Sequence, residues 1–220
     1  MLLSLPGVGQ RKSLYAIHQG NYDDKPLHYG FFLAGNYTKF KRHYSQAFIT
    51  GMDTAFSINP KGAPGFGLGF IASYSIGKYV DIRLLPSAAF YERSIDYLFN
   101  KGTTNTQTIE STFLELPILL KYKSVRRGNV RMYMVGGLKP SIEIGSNKKE
   151  KTKDRLVTDN MDLTVEYGMG FDLFYTFVKV SPEIRFSHGI RNMLVKDTSP
   201  YSRGLERLNS HTVSLYLFFE

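Results

Sequence analysis

The feature that most constrains this 220-residue chain is a hydrophobic period of two, sustained over segments of about ten to sixteen residues. Leu163, Val165, Tyr167, Met169, Phe171, Leu173 and Tyr175 alternate with Thr164, Glu166, Gly168, Gly170, Asp172 and Phe174. No helix segregates those residues, whereas an extended strand puts the first set on one face and the second on the other. The same pattern sets Phe66, Leu68, Phe70, Ala72, Tyr74 and Ile76 against Gly65, Gly67, Gly69, Ile71, Ser73 and Ser75. It recurs from Val80 to Arg93 and from Phe113 to Lys123. Further extended segments are expected at about 28–41, 129–143, 177–189 and 208–219, for a total of about eight. Pro86, Pro117, Pro140 and Pro182 fall inside these runs, and because proline removes a ladder donor, bulges are expected there.

Strand length separates a water-soluble sandwich from a membrane barrel. Soluble strands average about five or six residues, while a tilted bilayer-crossing strand needs about nine to eleven. Connections alternate between short ones (77–79, 126–128 and a bend at 175–176) and long ones (about 42–64, 96–108, 144–160 and 190–207). This alternation and an even strand number are the habit of outer-membrane barrels. The fold class is therefore all-β: an eight-stranded antiparallel transmembrane barrel of the outer-membrane type, with long extracellular loops and short periplasmic turns. Its last strand runs into LYLFFE, where Val213, Leu215, Leu217 and Phe219 share one face.

Composition agrees. Hydrophobic residues make up 42%, charged residues 21%, and mean hydropathy is -0.22, which fits neither a disordered chain nor a helical membrane protein. Aromatics reach 14% through Tyr and Phe alone, beside 20 Gly, a bias towards pleated surfaces and tight turns. The absence of Cys removes disulfide, thiolate and Cys-ligated metal chemistry. A net charge of +9 invites a nucleic-acid reading, but the cations sit singly at alternate strand positions, interleaved with acids. The one dense run, 147–155 (NKKEKTKDR), reads as a solvated loop, and no nucleic-acid partner is expected. At the N-terminus, MLLSLPGVGQ looks like the end of a secretory signal without its basic flank. Residues 1–25 are accordingly read as signal remnant plus periplasmic segment, and 26–220 as the barrel.

Four stretches carry a family likeness: FSINPKGAPGFGLGFIASYSIGKYVDIRLLPSAAFYER (Phe56 to Arg93), YMVGGLKPSIE (Tyr133 to Glu143), SPEIRFSHGIRNML (Ser181 to Leu194) and LNSHTVSLYLFFE (Leu208 to Glu220). They resemble the PorT family of Bacteroidetes over about residues 26–220, most specifically at FSINPKG and PEIRFS. The resemblance implies a small outer-membrane barrel needed by the type IX secretion and gliding-motility apparatus. In that role it is an accessory or assembly component and not the protein-conducting pore, and its partners are other outer-membrane components of that machinery, with lipid and lipopolysaccharide around it. It brings no catalytic residues.

With the apolar faces turned to lipid, Asp81, Arg83, Glu115, Lys121, Arg131, Lys139, Glu166, Asp172, Lys179, Glu183 and Arg185 face the lumen. An eight-stranded barrel is only wide enough for side chains to fill, so these charges are expected to pair into an ionic plug. The five His (His18, His28, His43, His188, His211) lack metal-ligand spacing, and the adjacent Ser187-His188 and Ser210-His211 pairs point to opposite faces of their strands. No enzyme activity, cofactor or metal is expected. The residues that could meet at the rim of a barrel hydrolase are His43, Asp53, Asp96 and His188, and a simple channel or ligand-binding barrel is the other alternative. GFGLGF (Gly65 to Phe70) has no following helix to make a phosphate loop and reads as close strand packing. In the first long connection, Phe48, Ile49, Met52, Phe56 and Ile58 form an unusually apolar set, a candidate partner-contact loop or a lid over the barrel mouth.

Overall fold

A computed structural model describes residues 17–44, 55–99, 104–146, 161–191 and 205–220. Eleven strands form one antiparallel sheet: β1 (Leu27–Tyr44), β2 (Ala55–Lys61), β3 (Ala63–Ser75), β4 (Val80–Leu84), β5 (Ser87–Phe99), β6 (Thr104–Glu115), β7 (Ile118–Lys123), β8 (Val130–Ser146), β9 (Met161–Phe174), β10 (Lys179–Gly189) and β11 (Leu205–Phe219). β2 with β3, β4 with β5 and β6 with β7 are single staves interrupted once, so the sheet is an eight-stave meander. Every stave pairs with its sequence neighbours, and β1 pairs with β11 from Phe31↔Phe219 to Tyr44↔Leu205, which closes the ring. Among the described residues no helix is long and apolar enough to cross a membrane.

Alternation decides the two faces of the wall. Phe31, Leu33, Leu68, Phe70, Leu120, Met134, Met169 and Leu215 are exposed on the outside, while their strand neighbours Phe32, Ala34, Ile71, Leu119, Val135, Gly168, Gly170 and Tyr216 point inwards and are buried or half-buried. Short connections lie at one end, at 76–79, 124–129 and 175–178. Gly128 turns the second of these with a φ of +66°, where a side chain would be strained. The chain segment before β1 and the final residue, Glu220, lie at this same periplasmic end.

The prolines act differently from the sequence expectation of bulges. Pro86 and Pro117 break their staves outright, between β4 and β5 and between β6 and β7. Their carbonyls still accept across the gap, from Phe70 N–H (3.0 Å) and Leu85 N–H (3.1 Å), and the Pro140 carbonyl accepts from Leu116 N–H (3.0 Å). The ladder thus loses donors but keeps its wall. Gly69 is part of that repair, because a Cβ there would lie 2.5 Å from the Pro86 carbonyl oxygen. Pro140 itself sits within β8 with the β9 register unbroken, and the register shifts fall elsewhere, at His43/Tyr44, Ala55/Ser57 and Thr112/Phe113.

The expected long connections also shrink. Residues 96–99 and 104–108 continue β5 and β6 as paired strand, with the ladder running from Ser87↔Glu115 to Leu98↔Thr104. The Thr-rich run Thr104-Asn105-Thr106-Gln107-Thr108 suits a pleated surface although it has no apolar face to advertise it. Ala55–Lys61 is likewise strand β2, on β5, and not loop. Phe48, Ile49 and Met52, the charged run 147–155 and the apolar N-terminal stretch lie outside the described residues.

Leu215 is exposed midway up the wall, paired with Gly35 and Ile184. Leu215→Arg should destabilise the barrel in lipid vesicles by about 2–4 kcal/mol, read from urea unfolding. Phe177→Arg, on a fully projecting periplasmic turn, should be near neutral.

Candidate functional site

All eleven charges assigned to the lumen by alternation are buried there: Asp81, Arg83, Glu115, Lys121, Arg131, Lys139, Glu166, Asp172, Lys179, Glu183 and Arg185. They are brought together as follows. In the outer half, Lys139 bridges Glu115 (3.1 Å) and Glu166 (3.2 Å), and Tyr91 donates its hydroxyl to Glu115 (2.7 Å). Glu166 also accepts from Ser187 (2.5 Å) and pairs with Arg185 (3.0 Å), which is forked onto Glu183 in turn. Glu183 holds Arg83 (3.0 Å). Near the periplasmic end, Asp172 collects Lys121 (2.7 Å), Arg131 (3.1 Å) and the Ser181 hydroxyl (2.9 Å), and Lys123 pairs with Asp81 (2.7 Å).

Aromatic rings share this interior. Lys121 lies 3.8 Å over the Tyr133 ring and Arg185 4.0 Å over Tyr216, and Phe32, Ile71, Leu85, Leu119 and Phe218 form a buried apolar cluster with Tyr216. Such contacts stabilise a cation out of water without giving it a proton acceptor. Lys123, Glu143, Asp162 and Glu220 are further interior charges that alternation could have found, since each continues the inward face of its strand. The periplasmic cap could not have been found that way. Tyr22 sits on a short turn of 3-10 helix (Tyr22–Asp24), stacks on His28, donates to Glu220 (2.9 Å) and accepts from Lys179 (2.6 Å). Asp23 pairs with Arg131 (2.7 Å), and Arg126 donates to the carbonyls of His18 and Gln19. Burial, then the Glu220 carboxylate, pushes the Tyr22 phenol far above its ordinary value. Burial alone would raise Asp23, but the hydrogen bond and charge of Arg131 outweigh it and hold that carboxyl below the usual aspartate range.

Of the other sequence candidates, Phe56 and Ile58 belong to β2, with Ile58 opposite Tyr97. His43 and Asp96 are on β1 and β5, and Asp53 lies outside the described residues. Ser187 turns inwards to Glu166 while His188 turns outwards to Tyr167 and His211, so that serine and histidine form no couple.

A closed antiparallel meander with an apolar outer wall and an ionic interior defines a transmembrane β-barrel of the outer-membrane class. The chain belongs to the family described as outer membrane protein beta-barrel domain, whose model matches residues 10–195, and it is an outer-membrane protein. Similar solved structures include the outer membrane protein OprG from Pseudomonas aeruginosa (12% identity, 86% of this chain and 94% of that one, TM-score 0.47). Neisserial surface protein A (NspA) is another (13% identity, 88% and 98%, TM-score 0.41). No curated protein sequence matches the chain.

Removing Asp172 strips Lys121 of its carboxylate. Asp172→Leu should therefore cost about 3–5 kcal/mol of folding stability, and adding Lys121→Met should recover much of it in a double-mutant cycle. The cap has a defined pH window. Because folding lowers the Asp23 value, its contribution is present above the ordinary value of about 3.9 and is lost as pH falls through the folded one. Amide exchange of residues 17–25, corrected for intrinsic rate, should rise as pH falls below about 4. Asp23→Asn should abolish that rise.

Proposed function

We propose that this barrel is a non-enzymatic accessory or assembly component of the type IX secretion and gliding-motility machinery, working through surfaces that hold other outer-membrane components. The observation that carries the reading is the filled lumen. Ion pairs and aromatic layers occupy the bore from Asp81 and Lys123 to Glu115 and Lys139, leaving a wall and two rims on which to act. The choice of machinery rests on the resemblance of FSINPKG and PEIRFS to the PorT family. FSINPKG forms β2 and the Gly62 break, held on the β5–β6 hairpin at the extracellular end. That stretch, with the apolar residues preceding it, is our candidate docking element.

A small ligand-binding or channel barrel is the second reading, favoured by the polar upper lumen of Thr38, Thr164, Thr212 and Glu143. Planar-bilayer recordings discriminate: the accessory reading expects no steady single-channel current from purified barrel, and large stable currents would overturn it. Phe48→Ser/Ile49→Ser/Phe56→Ser in a strain that depends on the protein should leave barrel levels normal and abolish cargo secretion. Full secretion at normal levels would defeat the docking role.

A further inference from the structure

The outer wall carries a row of basic and imidazole side chains that neither the ionic lumen nor the proposed docking element uses. Lys39 of β1 stands directly opposite His211 of β11, and His211 directly opposite His188 of β10. All three face outwards, since their neighbours Thr38, Thr212, Ser210 and Ser187 are buried on the lumen side. Lys41, two residues further along β1, is exposed on the same face. Among the described residues no carboxylate pairs with Lys39 or Lys41.

The height of the row matters. Below it β11 presents Val213, Leu215, Leu217 and Phe219, and β10 presents Phe186 and Ile184. From Phe219 to His211 the strand rises about 26 Å, or roughly 20 Å along the normal at a tilt of about 40°. That puts the row near the upper edge of an apolar band about 25 Å tall, where acyl chains give way to headgroups. A cation at this level meets the polar part of the outer leaflet.

The imidazoles are hydrogen-bonded in series. His188 Nδ1 lies 2.6 Å from His211 Nδ1, so one of the two nitrogens carries the proton and the other is bare. His188 Nε2 lies 2.9 Å from the Tyr167 hydroxyl. With the phenol donating to His188 Nε2, His188 Nδ1–H donates to His211 Nδ1, and His211 is left with Nε2–H as a donor beside Lys39. Among the described residues nothing engages that Nε2 atom. Two N atoms 2.6 Å apart are too close to ligate one metal ion together, so the pair is a poor cation site and a good anion-facing one.

We propose that Lys39, Lys41 and His211, oriented by His188 and Tyr167, form a docking site for a phosphate group on a lipid headgroup of the outer leaflet. Charge complementarity selects the occupant: two ammonium groups and one N–H donor at headgroup height match a phosphate monoester, and the apolar wall beneath matches its acyl chains. The lysines supply the attraction, and the histidine relay supplies a fixed donor.

The test is a native mass-spectrometry titration of the folded full chain in neutral detergent with bisphosphorylated lipid A and with the same lipid fully dephosphorylated. The phosphorylated form should bind at least about 20-fold more tightly, each lysine contributing roughly five-fold. Lys39→Glu/Lys41→Glu should abolish the preference, His211→Leu should lower it several-fold, and Lys78→Glu on a periplasmic turn should leave it unchanged. Heat-modifiable migration establishes folding of each variant, and Lys41→Gln serves in place of any variant that does not fold. Equal binding of the two lipids, an undiminished preference in the lysine variants, or binding abolished by EDTA would each overturn the proposal.

Discussion

Hydrocarbon offers no partner for a backbone N–H or C=O, and everything else in this molecule follows from that constraint. A sheet in lipid must close on itself, and here closure is the long pairing of β1 with β11, first strand to last. With eight staves the ring is narrow. Its interior is therefore solid, and side chains on the inward face are sealed from water on all sides by their own wall.

Solidity explains the chemistry of the lumen. A lone charge sealed inside would be very costly, so cations and carboxylates occur in contact and with hydroxyl support, as Asp172 does with Lys121, Arg131 and Ser181. Rings of Tyr133 and Tyr216 face the cations. The cap extends the same logic to the periplasmic mouth, where Tyr22 and Asp23 satisfy Lys179, Glu220 and Arg131. Strand-breaking residues are tolerated under the same rule: Pro86 and Pro117 withhold donors, but their carbonyls remain paired.

On the proposed reading, a filled bore leaves the exterior as the working surface. At the extracellular end β2 and the β5–β6 hairpin carry the sheet beyond the apolar band, and on the outer wall the Lys39–His211–His188 row marks the band's upper edge. As proposed above, these are different surfaces for different neighbours, one protein and one lipid.

Alternation alone determined the eight staves, which face meets lipid, and eleven of the charges that share the interior, because the period of two is written in adjacent residues and a charge turned to hydrocarbon is heavily penalised. It determined the barrel class for the same reason, through strand length and the rhythm of connections. Tertiary structure alone decided which interior charge holds which, since Lys139 reaches Glu115 and Glu166 only after three staves are in register. It also decided that 96–99 and 104–108 are paired strand, that Pro86 and Pro117 break staves where bulges were expected, and that residues 17–26 cap the mouth. His188 and His211 each follow a serine in sequence with nothing to link them, and only the register of β10 on β11 makes them neighbours. Register is a relation between distant segments, fixed by ring closure and by the packing of a narrow lumen, and no local pattern encodes it.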